Sequence, residues 1–183
     1  LYDPAWGVEE PSFWNLYPKF LKALRKYRKK ANWELEQILE MNYFNVEDVG
    51  VNSVYAAGWG ILGDLAKNFD SDLAIKCKKK QEIFESAIIE KCWSESDSQF
   101  LSYYHTPEGE KISKIETVQS LFPLVLKSLP DDILNKVIKN LSNPDKFWLP
   151  YPVPSTAKSE PTFDPHESRL LWRGPTWPCT TWL

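Results

Sequence analysis

Glycine, cysteine and histidine are scarce in this sequence, numbering seven, three and two among 183 residues. Few glycines beside nine tryptophans and fourteen prolines exclude a collagen-like repeat, a Gly/Ser linker and a broadly disordered chain. Such chains lack the aromatic surface that this one has to bury. Cys77, Cys92 and Cys179 are odd in number and form no CxxC pair, which argues against a disulfide framework and a zinc site. They read as reduced, mostly buried thiols. His105 and His166 lie far apart and have no second ligand at helical spacing, which argues against a metal centre and a Ser-His-Asp arrangement. No GxGxxG, Walker-type loop or HExxH is present, so no cofactor is expected. Neither charge sign dominates: 22 Lys+Arg against 25 Asp+Glu leave a net charge of −3. No apolar run reaches the roughly 18 to 20 residues of a membrane span. The first thirty residues carry Asp, Glu and a Lys/Arg cluster where a signal peptide needs an apolar stretch. The expectation is a chain without membrane contact, cytoplasmic by default, whose oligomeric state the sequence leaves open. The chain begins at Leu1 and stops five residues beyond Pro178, and both ends read as cuts through a longer protein.

What is present is mostly helical periodicity. Phe13, Leu16, Tyr17, Phe20, Leu21 and Leu24 follow the i, i+3, i+4, i+7 spacing of one helix face from Ser12, a suitable N-cap, to about Lys30. The opposite face carries Lys22, Arg25, Lys26, Arg28, Lys29 and Lys30. With Glu34, Glu36 and Glu40 following at once, this reads as a solvated face and not a nucleic-acid grip. A second helix is expected from Val46 to Phe69, burying Val51, Val54, Tyr55, Gly58, Ile61, Leu62, Leu65 and Ala66. Its glycines, Gly58, Gly60 and Gly63, cost helix propensity and point to close helix packing. A third runs from Asp70 or Ser71 to Trp93, with Ile83, Phe84, Ala87 and Ile88 inward and Lys76, Lys78, Lys79 and Lys80 in water. Between Ser98 and Ile112 the period changes to alternation around the turn Thr106-Pro107-Glu108-Gly109, which fits a small hairpin. Helical spacing returns from Ser113 to Leu129, broken at Pro123, and from a cap at Asp131 to Leu141. The reading is an all-α array of helical hairpins.

Residues 144–178 break this pattern, holding eight of the fourteen prolines together with Trp148, Tyr151, Trp172 and Trp177. A segment so long, aromatic and aperiodic reads as an ordered functional loop. Tryptophan faces cover the C–H side of a sugar ring, Arg and Asp bond to ring hydroxyls, and proline holds both at low entropic cost. The competing reading is a stiff loop whose tryptophans plug the end of a helical bundle.

Three runs in this loop, Val153-Pro154-Ser155, Phe163-Asp164-Pro165 and Leu171-Trp172-Arg173-Gly174-Pro175-Thr176-Trp177, resemble the "VPS…FDP…YWRGPTW" segment of six-hairpin glycosidases related to glycoside hydrolase family 63. The mannosylglycerate and glucosylglycerate hydrolase-like branch is the nearest in pattern. Val46-Glu47-Asp48-Val49-Gly50-Val51-Asn52-Ser53 is similar to the family's helix opening, Gln99–Tyr104 with Glu108-Gly109 to its hairpin, and Leu121-Phe122-Pro123-Leu124 to its LxPL helix. The resemblance covers the chain from about Phe13 to its end. Leu171, Thr181, Val51 and Tyr104 depart from the pattern, which touches specificity and not the fold.

The resemblance implies part of an (α/α)6 toroid with a small β-hairpin and the 144–178 substrate loop, residues 1–183 forming an incomplete catalytic domain. It further implies an inverting glycoside hydrolase for short α-glucosides or α-mannosides such as glycosylglycerates, with a small carbohydrate as its partner. Trp172, Arg173, Trp177, Ser155 and Asp164 are the expected substrate residues, with Asp48 and Asn52 behind them. Asp48 at a helix start reads more readily as a cap than as a sugar contact. Asp164 reads as ordering the loop through Arg173, and Glu160 and Glu167 as solvated. The family's general acid falls before Leu1 and its general base after Leu183, so the chain alone is expected to be inactive. The rivals are an α-1,6-glucosidase or trehalase-like enzyme, and a non-catalytic helical module that binds carbohydrate or protein.

Overall fold

A computed structural model of the chain describes residues 13–43, 45–165 and 173–181. Ser12 and the side chains of Phe13, Leu16 and Tyr17, expected at the start of the first helix, lie outside what is described. The chain divides into two compact units, one of Leu1–Val46 with His105–Glu110 and one of Glu47–Tyr104 with Lys111–Leu183.

In the first unit, α1 (Phe13–Ala31) ends on Arg28, Lys29 and Lys30, where cations complement the helix dipole. Phe20, placed inward by periodicity, is exposed. Asn32 and Trp33 then take left-handed conformations, φ 44° and 64°, reversing the chain into α2 (Leu35–Met41). The helix α2 closes on Asn42, also left-handed at φ 45°, a conformation that asparagine tolerates better than most residues. Tyr43 packs on Tyr27 and receives a hydrogen bond from Lys26 Nζ at 2.6 Å.

The second unit holds the core. After β1 (Val46–Glu47) come α3 (Val49–Ala66) and α4 (Ser71–Cys92), then β2 (Trp93–Ser94) and β3 (Gln99–Phe100), an antiparallel pair. Strands β4 (Ser102–Thr106) and β5 (Gly109–Ser113) follow, residues 105–110 of this hairpin counting with the first unit. A 3-10 helix (Val118–Val125), α5 (Asp131–Leu141) and the single turn α6 (Pro178–Thr181) complete the order. Asp48 and Asp70 cap α3 and α4, their carboxylates accepting from Val51 N–H at 2.8 Å and Leu73 N–H at 2.9 Å. Gly63 faces Cys77 while Gly60 faces Gln81, so α3 and α4 run antiparallel. Val49, Ala56, Ile88, Phe100, Val118, Val137, Phe147 and Val153 are among the residues that form the core.

The buried stripe of α3 is not the one its periodicity suggests. Gly50, Ser53, Ala56, Gly60, Gly63 and Ala66 face inward, while Val51, Ile61 and Leu65 are 66%, 62% and 61% exposed. The cause is close approach. A Cβ at Gly60 would lie 2.6 Å from the Gln81 carboxamide, and one at Gly63 would lie 3.1 Å from Cys77 Cβ. Only small residues fit there, and the apolar positions of α3 run almost all round the helix, so periodicity has no phase to find. Gly58, grouped with the packing glycines by sequence, faces open space.

On α4, Ile88 is buried as expected and Phe84 packs against the core, but Ile83 is exposed. The inward positions include Gln81 and Glu85, charged or polar yet fully partnered: Gln81 Nε2 donates to Glu85 Oε1 at 2.7 Å. The other Glu85 oxygen accepts from Ser128 N–H at 2.9 Å, and Oε1 also takes Lys127 N–H at 3.2 Å. Residues 113–129 form only the 3-10 helix at Val118–Val125, because Pro123 removes one amide donor and favours a tight turn. Asp131 is the first residue of α5 and not its cap, a position taken by Pro130.

Candidate functional site

The long loop is built on one extended strip. Residues 153 to 157 are all buried, and the strip is bridged antiparallel on both sides, Thr156 to Thr117 and Pro154 to Thr176. On one side Val118 N–H donates to Ser155 O at 3.0 Å and Ala157 N–H to Glu116 O at 2.9 Å. On the other, Ser155 N–H donates to Pro175 O at 3.1 Å, and Ser155 Oγ accepts from Gly174 N–H at 3.0 Å. Thr176 Oγ1 donates to Tyr151 O at 2.7 Å, closing the same edge. Proline at 152 and 154 fixes φ along the strip and removes donors where no ladder partner is needed.

Gly174 explains how the remaining stretch comes in. Its φ is +144°, and a Cβ there would sit 2.9 Å from Pro165 N, 3.0 Å from the Phe163 ring and 3.1 Å from Asp164 C. The Phe163-Asp164-Pro165 backbone therefore lies directly on Gly174, and Asp164 N–H donates to Arg173 O. Val153–Ser155, Phe163–Pro165 and the described part of the third run, Arg173–Trp177, converge on one place. Of the expected substrate residues, Asp164, Arg173 and Trp177 are half-buried around this junction. Ser155 is 2% exposed and its hydroxyl is engaged by Gly174, so it acts by holding the loop. Trp172 lies outside the described residues, as do Leu171, His166 and Glu167.

Asp48 and Asn52 sit at the start of α3, and their described hydrogen bonds stay within that helix opening. Besides the cap, Asn52 Nδ2 donates to Asp48 O at 2.8 Å, and Val49 N–H donates to Ser102 Oγ at 3.1 Å. One turn into α3, Gly50 lies against the Gln119 carboxamide and the Phe122 ring. Gln119 is the neighbour of Val118, whose amide holds Ser155. The Gln119 Oε1 is buried without a hydrogen-bond partner among the described residues.

Two polar residues missed by sequence reasoning brace the strip. Glu116 is 6% exposed, and its carboxylate pairs with Lys146 Nζ at 2.9 Å. Lys146 also donates to Asn140 Oδ1 at 3.2 Å, and Lys158 N–H donates back to Lys146 O at 3.0 Å. With Glu116 buried and Lys146 half-buried, removing the lysine would leave a buried carboxylate without its cation. Glu160, expected in solvent, accepts Glu116 N–H at 2.8 Å and so ties the loop as well. Nothing in the spacing of 116, 146 and 160 marks them, because the loop brings them together. Chemically the junction offers a guanidinium, a carboxylate and an indole on a stiff, hydrogen-bonded backbone.

A proline-stiffened loop braced over a helical framework is the architecture of an all-α protein with one elaborated loop. Residues 13–183 match the mannosylglycerate hydrolase MGH1-like glycoside hydrolase domain, and the chain belongs to that family. A glucosylglycerate hydrolase of Mycolicibacterium hassiacum is 25% identical over 184 residues, covering 91% of this chain and 37% of the relative. A mannosyl-oligosaccharide glucosidase of Saccharomyces cerevisiae is 30% identical over 141 residues, 71% of this chain and 17% of the relative. The family 63 mannosylglycerate hydrolase of Thermus thermophilus in complex with glucose superposes with a TM-score of 0.76 at 20% identity. Its complex with Tris and D-glycerate gives 0.73, also at 20% identity, and each covers 91% of this chain and 38% of the Thermus chain. The fold is thus that of the (α/α)6 glycosidases, and this chain spans under two fifths of the length of these relatives.

Proposed function

We propose that the chain supplies the sugar-holding loop of an inverting glycoside hydrolase acting on a short α-glucoside or α-mannoside of the glycosylglycerate class. The observation that carries this is the convergence of Val153–Ser155, Phe163–Pro165 and Arg173–Trp177 on one braced junction. In this reading Trp172 and Trp177 cover the apolar face of the sugar ring. Arg173 and Asp164 bond its hydroxyls, Ser155 holds Gly174 in place, and Asp48 and Asn52 fix the start of α3. The glucose and glycerate bound by the Thermus relative are the two halves of such a substrate. No metal or other cofactor is invoked.

Inversion needs a carboxylic acid at the leaving oxygen and a carboxylate that activates water on the other face, roughly 6.5 to 9.5 Å apart. Both belong, in this proposal, to parts of the family's length outside these 183 residues. The chain alone then releases no glycerate from glucosylglycerate or mannosylglycerate, whereas a form extended at both ends to the family's length does, with an inverted anomer seen by proton NMR. In that longer form Trp172→Ala weakens sugar binding by about 1 to 3 kcal/mol, the scale of one aromatic face. Turnover by the 183-residue chain, or unchanged sugar affinity in the variant, defeats the proposal. The likeness to the yeast glucosidase favours a second reading, an oligosaccharide α-glucoside as substrate, and faster hydrolysis of such a glucoside than of either glycosylglycerate decides for it.

A further inference from the structure

One glycine in the middle of α3 has no use among the described residues. Gly60 and Gly63 make room for α4, but a Cβ at Gly58 would meet nothing within 4 Å. Glycine inside a helix costs helix propensity, a cost that is offset where a second backbone comes close. The residues around Gly58 are large and apolar. Tyr55 and Ile61 lie three residues to either side of it, Val54 and Leu62 four, and Val51 and Leu65 seven, and all six are exposed. At 3.6 residues per turn, these positions and Gly58 occupy one sector of about 120°, opposite the inward face of Ser53, Ala56, Gly60 and Gly63.

The stripe is symmetric about Gly58. Laid antiparallel on its own copy, across a two-fold axis at residue 58, it brings Val51 opposite Leu65, Val54 opposite Leu62 and Tyr55 opposite Ile61, each contact made twice. Glycine meets glycine at the crossing. The two backbones can approach there, and the side chains three and four residues away fill the grooves between turns. The antiparallel sense also sets the two helix dipoles head to tail, which is the favourable arrangement. No charge opposes the pairing. Asp64 is the one charged residue of α3, and it lies off the stripe with its carboxylate paired to Lys67 at 2.7 Å and Lys127 at 3.0 Å.

We propose that the outward stripe of α3 is the docking surface for a second copy of this chain, in an antiparallel two-fold pair that crosses at Gly58. Sedimentation equilibrium of the chain should show a mass that rises with concentration and stops at twice the 21.3 kDa of one copy. Gly58→Arg puts like charges on the axis, while its side chain has open space in the single chain. It should weaken association at least about tenfold without lowering the melting temperature measured at high dilution. Cross-linking reads the geometry, on a Cys179→Ser background because Cys179 is exposed whereas Cys77 and Cys92 are buried. Gly58→Cys should join to itself on oxidation. Val51→Cys should join to Leu65→Cys in a mixture and not to itself, since its own copy lies about 20 Å away along the pair. The proposal fails if the chain stays monomeric, if its mass passes that of a dimer, or if Gly58→Arg associates like the parent. It also fails if Val51→Cys joins to itself as readily as to Leu65→Cys, the mark of a parallel pair. Cross-linking of Ile83→Cys, exposed on α4, as readily as of Gly58→Cys would equally sink it, as the mark of an unspecific apolar face.

Discussion

Glu85 shows how much one side chain decides here. It is 2% exposed, in the middle of α4, at a place where periodicity asks for an apolar residue. Burial opposes its charge, but hydrogen bonds from Ser128, Gln81 and the Lys127 amide hold its carboxyl below the ordinary glutamate range. These bonds fasten the turn after the 3-10 helix onto α4, and so position the segment that leads to α5. Because the folded carboxyl is depressed, its contribution to stability is complete above the ordinary glutamate range. It is lost as the pH falls through that range towards the lower folded value. Glu85→Gln keeps the shape but turns an amide donor towards Lys127 or Ser128 N–H, an unpaired donor that costs about 1 to 3 kcal/mol. Urea unfolding at pH 7 should show that loss, and at a second pH below the ordinary glutamate range the gap between variant and parent should be smaller. An equal gap at both pH values would mean that the charge of Glu85 is not what holds the turn.

At the scale of elements, α3 separates what glycine costs from what it permits. Gly58 faces open space, so Gly58→Ala should gain the helix propensity of about 0.5 to 1 kcal/mol. Gly60→Ala must push aside Gln81, which is bonded to Glu85, and should lose more than it gains. Urea midpoints moving in opposite directions for the two variants is the expected result; both rising would show that α3 and α4 are not in close contact. The same helix shows where sequence is readable. Asp48 and Asp70 mark the starts of α3 and α4 because a short acceptor before an apolar run has one good use there. The hairpin turn at Thr106–Gly109 is equally local, with Gly109 at φ 122°. The inward face of α3 is illegible because its apolar residues run all round and contact distance, not hydrophobicity, sorts them. The short helix α2 carries no buried residue to give it a period. In the loop, the Val153–Ser155, Phe163–Pro165 and Arg173–Trp177 runs are visible as words. Their junction at Gly174 exists only through contacts between segments up to 19 residues apart, and the brace of Glu116, Lys146 and Glu160 through contacts 30 to 44 residues apart.

At the scale of the whole molecule, the outward face of α3 and α4 is the property that the described residues leave unbalanced. Val51, Ile61, Leu65 and Phe69 are 61% to 73% exposed, and Ile75 and Ile83 on α4 continue the apolar surface. Monomeric proteins rarely leave contiguous apolar area of this kind uncovered. Relatives more than twice as long match this chain over 91% of its length, so most of their length lies outside the part matched here. Without a cover the hydrophobic effect has one remaining route, which is association of this face with whatever apolar surface is in solution, including another copy. The chain alone should therefore bind a dye that reports exposed apolar surface and grow in mass with concentration by light scattering. Leu65→Lys together with Ile61→Lys should reduce both signals without lowering the melting temperature, because neither residue belongs to the core. A chain that stays monomeric and dye-silent at high concentration would mean that this face is stable in water as it stands, and that the longer relatives do not need it as a packing surface.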